Sequence, residues 1–226
     1  MTDIPEDNII LCQPHNSTGC SVCCGLFNFR DISHDSLGLF LKNGEIREKK
    51  FKVHDEFAGP WRLRSRYSHI CPFQGFLSDG RPGCLVHPLF AGTDGRDRSL
   101  FARKICENFF CPAHSILSPE EKIFLMENIK DWYLYSVAIA DPESFSFIYN
   151  FVKKNYGESC DGNSFISLVT EGLAAHSAGL NLYDGEIFFY SIPEYNLNKK
   201  NFSIMYRKDS MEQVVSRIRV KADLII

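Results

Sequence analysis

What is scarce in this sequence is charge of one sign: 25 Lys and Arg stand against 28 Asp and Glu, for a formal net charge of −3 over 226 residues. A chain whose main partner were nucleic acid would carry a basic excess or stripe, so that class is excluded as an expectation. Long apolar runs are missing too, none approaching the ~20 residues that a spanning helix requires, and no membrane role is expected. The opening MTDIPEDNIILC is acidic where a secretory signal is basic. Leu11 before Cys12 is too large for a lipoprotein cleavage site. These readings place the protein in the cytoplasm, where thiols stay reduced and clustered cysteines point to metal or catalysis rather than disulfides. Familiar catalytic motifs are also lacking: there is no G-x-x-x-x-G-K-[ST], H-E-x-x-H, G-x-S-x-G or G-x-G-x-x-G. The three-cysteine spacing of radical S-adenosylmethionine enzymes, internal repeats and long linkers are absent as well.

What is present is cysteine, and its distribution is uneven. Cys12, Cys20, Cys23, Cys24, Cys71, Cys84, Cys106 and Cys111 precede residue 115, and Cys160 alone follows. Histidine shares the bias, with His15, His34, His54, His69, His87 and His114 in the first part and His176 in the second. Cysteines serving as small buried hydrophobes would scatter over apolar positions throughout the chain.

In GCSVCCGLFNF, residues 19–29, a Cys-x-x-Cys pair lets two thiolates converge on one metal while intervening amides turn toward the sulfurs. Gly19 and Gly25 suit a tight turn round such a site. Cys24 is the odd member, because neighbouring side chains of an extended segment point apart, so it serves a second site or sits in a turn. Thioredoxin-like redox chemistry competes for Cys-x-x-Cys, but no strand-helix pattern accompanies it. Cys71 and Cys84 flank a Gly/Asp/Pro turn region with His87 three residues on, and CENFFCPAH, residues 106–114, adds Cys106, Cys111 and His114. Pro112 prevents one regular helix from carrying all three.

These elements, CSVCC at 20–24, CPFQGFLSDGRPGC at 71–84, then LVHP and a later cysteine pair, resemble the YkgJ-type family, described as zinc- or iron-chelating proteins. The likeness covers roughly residues 12–114, with HPLFAGTDGRDR where the family carries Arg-Pro. A related module occurs in a bacterial flagellin lysine methylase, for which the resemblance implies an iron-sulfur cluster. The resemblance implies metal binding and no particular reaction.

Eight thiols before residue 115 allow two four-thiolate sites or one cluster with spare thiols. One partition sets Cys12, Cys20, Cys23 and Cys24 against Cys71, Cys84, Cys106 and Cys111, and mixed groupings are equally permitted. The candidate cofactor ligands are Cys20, Cys23, Cys24, Cys71, Cys84, Cys106 and Cys111, with Cys12, His87 and His114 added as metal ligands or donors behind them. Sulfur outnumbers histidine, which favours an iron-sulfur cluster, expected to be [4Fe-4S], over zinc. Phe27, Phe29, Phe73, Phe76, Phe109 and Phe110 either keep water from the cluster or form ordinary core. Arg62, Arg64 and Arg66 on a strand face, and Arg96 and Arg98 in GTDGRDR, either grip an anion or pair with solvent, Asp94 and Asp97.

The fold class expected is α+β: an irregular cysteine-rich metal-binding part over residues 1–115, then a helical segment with a small β-hairpin over 116–226, the two separate or integrated. Ser118-Pro119-Glu120-Glu121 reads as a helix start with a capping box, continued by Ile123, Phe124, Ile129, Trp132 and Tyr133. Asp141-Pro142-Glu143 starts a second helix that stops at Gly157, and a third runs from about Ser164 to Gly179. Leu180 to Tyr183 and Glu186 to Ile192, around Asp184-Gly185, read as a hairpin. Phe202 to Tyr206 and Val214 to Val220 read as strand or short helix. Two functions follow: an iron-sulfur protein for electron transfer or an undefined enzymatic reaction with a redox or protein partner, or a zinc-stapled interaction module without catalysis.

Overall fold

The computed structural model describes residues 9–14, 18–53, 63, 70–99, 102–182 and 208–226. Among these the protein is mostly helical with one small antiparallel sheet, an α+β fold. Ser33 accepts a hydrogen bond from the Ser36 amide and starts α1 (His34–Lys42), which buries Leu37, Phe40 and Leu41. After Asn43, α2 (Gly44–Lys50) turns away over β1 (Gln74–Phe76), which pairs with β2 (Pro82–Cys84) in the register Gln74 to Cys84 and Phe76 to Pro82. A Cβ on Gly44 would lie 2.6 Å from the Gly75 Cα, so this contact between backbones requires glycine. Short helices α3 (Pro88–Ala91), α4 (Ala102–Asn108) and α5 (Ala113–Ile116) follow.

The second part is built of longer helices. Ser118 and Glu121 form the expected capping box at the start of α6 (Pro119–Asn128). Ile129, Trp132 and Tyr133 do not continue that helix. The Asp131 carboxylate accepts from the Leu134 amide at 2.8 Å and begins a new one, α7 (Trp132–Ala140). This helix is apolar all round and almost wholly buried, the signature of a central element. Asp141 caps α8 (Pro142–Tyr156), with Gly157 closing it as expected. The third helix, α9 (Gly162–Leu182), outruns the expected end, so Leu180 to Leu182 is helix, not strand. Leu180 stays in the helix because it continues the buried row of Val169, Leu173 and His176. The segment Val214 to Val220 lies within α10 (Lys208–Ile225), where Met211, Val214, Ile218 and Ala222 bury one helical face. The hairpin around Asp184-Gly185 and the segment 202–206 lie outside the described residues. The sheet that is described sits among the cysteines instead.

Helix α9 packs on α7, α8 and α10. One hydrophobic cluster runs from Leu11, Phe27, Phe40 and Phe73 to Tyr135, Phe145, Leu168 and Ile218, so both parts of the chain share a core. The Tyr135 hydroxyl donates to the Leu11 carbonyl at 2.7 Å, tying the first cysteine segment to the central helix. Among the described residues no helix is long and apolar enough to cross a membrane.

Candidate metal centre

The stretch that carries Cys23 and Cys24 is a 3-10 turn, Val22–Cys24, closed by Gly25 at φ 82°. That left-handed backbone is open to glycine without penalty, and it lets the Gly25 and Leu26 amides fold back onto the Val22 and Ser21 carbonyls. The turn thereby lies against two other segments. The Cys20 amide donates to the Cys12 carbonyl at 3.2 Å, and the Cys71 amide donates to the Cys24 carbonyl at 2.8 Å. Gln74 reinforces the second junction, its Nε2 donating to the carbonyls of both Cys24 and Cys71 at 3.0 and 2.9 Å. Through the β ladder Gln74 also sits opposite Cys84.

The remaining thiols come from the helical connections. Cys106 lies on α4 with its sulfur 3.6 Å from the Ser99 hydroxyl. Cys111 precedes α5, and the His114 amide donates to its carbonyl at 2.9 Å. His114 then places Nε2 3.8 Å from the Cys12 sulfur. As expected, no single helix carries Cys106, Cys111 and His114: α4 ends at Asn108, and Pro112 is the N-cap residue of α5.

None of the nine cysteines is in a disulfide. Burial pushes the Cys84 and Cys111 thiols up to about 12, each raised further by neighbouring cysteines, and the Cys106 thiol up to about 11. Burial likewise raises Cys12 and Cys20, with Cys23 and Cys111 acting on both. Cys23 is the exception, held below the ordinary thiol value first by a hydrogen bond from Cys24 and then by the amides of Cys23 and Cys24. Cys24 rises in return, through its bonds to Cys23 and Cys71. Backbone amides face several sulfurs: Val22 toward Cys20, Val86 toward Cys84, and Ala113 and His114 toward Cys111. Amides so placed stabilise a thiolate, the form that binds metal.

Among the described residues, no three ligating side chains stand close enough to hold a single ion as they are placed. The eight thiols share a neighbourhood rather than a preformed coordination shell. Their chemistry nevertheless fits a soft metal, since Cys20, Cys71 and Cys111 are buried in the apolar cluster with Cys23, Cys24 and Cys84 packed against it, none in a disulfide, while Cys106 is exposed. Two buried oxygens beside them, Ser21 Oγ and Gln74 Oε1, have no hydrogen-bond partner.

His87 takes a different role. Its Nδ1 accepts from the Leu89 amide at 3.2 Å as the cap of α3, and the charged groups acting on it are Arg96 and Asp94. Of the aromatics, Phe27 and Phe73 are fully buried core, whereas Phe110 is exposed and stands edge-on to His114. Arg96 is taken by Asp94 and Glu107 at 2.7 and 2.8 Å, and Arg98 by Glu48, so neither offers a free anion grip. His15, His54, His69, Arg62, Arg64 and Arg66 lie outside the described residues. His176 is buried and bonded to the Asp141 carboxylate at 2.9 Å.

The residue that sequence reasoning missed is Arg47. It is buried, its guanidinium lies 3.6 Å over the Phe40 ring, and it donates to the carbonyls of Phe40, Pro72 and Gln74. Burial lowers its pKa to about 10, an effect that the nearby Cys71 partly opposes. No sequence signal marked it, because Arg47 lies on α2, beyond the break at Asn43, in a basic run whose Lys49 and Lys50 face solvent.

No family model, no curated protein and no solved structure matches the chain.

Proposed function

We propose that this chain is a metal-thiolate protein that carries an iron-sulfur cluster on its N-terminal cysteines, serving electron transfer or an enzymatic reaction with a redox or protein partner. What supports the reading is that cysteines outside any disulfide approach one another from separate segments, the Cys20 amide on the Cys12 carbonyl and the Cys71 amide on the Cys24 carbonyl, with backbone amides turned to the sulfurs of Cys20, Cys84 and Cys111. Cys12, Cys20, Cys23, Cys24, Cys71, Cys84, Cys106 and Cys111 would hold the metal. An iron-sulfur cluster bound there supplies one-electron transfer. The chain's own part is to exclude water with Phe27 and Phe73, to aim amides at sulfur, and to set the cation Arg47 near Cys71. The likeness to YkgJ-type proteins, residues 12–114, belongs to the same proposal. So does a cytoplasmic location, which suits nine free thiols.

Zinc is the second reading, and His114 beside Cys12 favours it, since zinc accepts mixed Cys/His shells. Anaerobic purification of the full chain with iron, sulfide and zinc analysis decides between them. A brown protein with charge-transfer absorption supports the cluster. Colourless protein with stoichiometric zinc supports the interaction module, and protein devoid of both metals overturns the metal-thiolate reading.

A further inference from the structure

Two of the cysteines, 47 positions apart in the chain, are joined by a set of main-chain bonds. The Cys71 amide donates to the Cys24 carbonyl at 2.8 Å, and Gln74 Nε2 donates to the carbonyls of Cys24 and Cys71 at 3.0 and 2.9 Å. Arg47 fixes the same segment from α2, donating to the Pro72 and Gln74 carbonyls at 3.2 and 2.8 Å. Where the CxxCC turn meets this segment the side chains meet too: the Cys24 thiol is hydrogen-bonded to that of Cys71 and also to that of Cys23. All three are free thiols.

A disulfide requires Cα atoms ~4.4–6.8 Å apart. Chains joined by a backbone hydrogen bond run ~5 Å apart, which places Cys24 and Cys71 inside that window without movement of the backbone. Adjacent residues stand only ~3.8 Å apart, so Cys23 and Cys24 fall short of it although their thiols are bonded. The pair able to bridge is therefore Cys24 with Cys71.

We propose that Cys24 and Cys71 are a redox-active dithiol, closed to a disulfide by hydrogen peroxide and reopened by a thiol reductant. Cys24, the less buried of the two, meets the oxidant first, since Cys71 is only 3 % exposed. Its sulfur attacks one peroxide oxygen, the O–O bond breaks, and the products are the Cys24 sulfenic acid and one water. The Cys71 sulfur then attacks the Cys24 sulfur, the S–O bond breaks, and the hydroxyl leaves with the Cys71 proton as a second water. The two thiols lose two electrons and the peroxide gains them. Two molecules of a thiol reductant reverse the bridge and leave as their own disulfide. The closed form ties the CxxCC turn covalently to the segment ahead of β1. It also takes two sulfurs out of metal binding, so that oxidation and metal occupancy exclude each other; this consequence rests on the metal-thiolate reading, and the bridge itself does not.

The test treats full chain, freed of metal by a chelator, with one equivalent of hydrogen peroxide, alkylates the remaining thiols and sequences bridged peptides by fragmentation mass spectrometry. Cys24 joined to Cys71 is the expected principal bridge, accompanied by a raised thermal midpoint that dithiothreitol returns to its starting value. Cys23→Ser is expected to keep the bridge and Cys71→Ser to lose it. Cys71 recovered alkylated from the oxidised wild-type chain, or bridged to any cysteine other than Cys24, overturns the proposal. Should a variant misfold by circular dichroism, the wild-type peptide map still decides. Zinc uptake by the oxidised and reduced chains reads the consequence for metal: a fall on oxidation supports the exclusion, and equal uptake overturns it. A reduced chain that takes up neither zinc nor added iron and sulfide overturns the metal-thiolate reading and leaves the bridge standing.

Discussion

Arg47 holds its guanidinium 3.6 Å over the ring of Phe40 and spends its hydrogen bonds on main-chain carbonyls, with the Cys71 side chain in its neighbourhood. A buried cation is costly unless a negative group balances it, and a metal-bound thiolate is such a group. Arg47→Met is therefore expected to destabilise the metal-loaded protein by about 3 kcal/mol and the metal-free protein by clearly less. Urea titration of both forms reads the difference. Equal losses in the two forms would reduce Arg47 to a clamp on the Pro72 and Gln74 carbonyls.

At the start of α6, Glu121 does more than complete the cap. Its carboxylate accepts from the Ser118 amide at 2.7 Å, the Ser146 hydroxyl at 2.6 Å and the Asn150 amide at 2.8 Å, joining α6 to α8. Ser118→Ala is expected to cost about 1 kcal/mol, the value of one cap. Glu121→Ala should cost more, about 2 kcal/mol, because three donors lose one shared, buried acceptor together. Thermal unfolding of the two variants checks the order.

Gly172 sits where α9 crosses α8 and α10. A Cβ there would lie 2.7 Å from Ile148 Cγ2 and 3.0 Å from Ile218 Cδ1. Alanine is the better helix former by about 1 kcal/mol, yet overpacking of this kind costs about 1–3 kcal/mol. Gly172→Ala is thus expected to lower stability, and a gain on chemical denaturation would show that the crossing has room.

Glu120 on α6 accepts from Lys153 at 2.7 Å and from the Tyr149 hydroxyl at 2.8 Å, and these bonds hold its carboxyl below the usual carboxylate range. A depressed folded pKa contributes stability that is fully present above the unfolded value of about 4.3 and is lost as pH falls through the folded value. The stability gap between wild type and Glu120→Gln should therefore be constant at neutral pH and vanish in acid. A gap that widens below pH ~4 would contradict this pairing.

Local chemistry was the legible part of the sequence. Ser118 with Glu121, and Asp141 with Pro142, announce helix starts because a cap is made within a few residues. Asp131 carried a cap signal of the same kind, but the apolar run through Trp132 and Tyr133 masks the break. The β-branched residues of Val214 to Val220 favour strand locally, and burial of Met211, Val214, Ile218 and Ala222 against α9 overrides that preference. Cysteine spacing singled out eight thiols, of which Cys20, Cys71 and Cys111 are buried in the shared core and Cys106 is exposed. Which sulfur faces which is tertiary: Cys111 reaches Cys12 through His114, and Cys24 reaches Cys71 through a backbone bond, neither of which spacing encodes.

X-ray absorption at the metal edge of the anaerobically purified full chain tests the metal-thiolate proposal most directly. A first shell dominated by sulfur at about 2.3 Å is the predicted result. A shell of light atoms alone, or a chain that retains no metal at all, would contradict it.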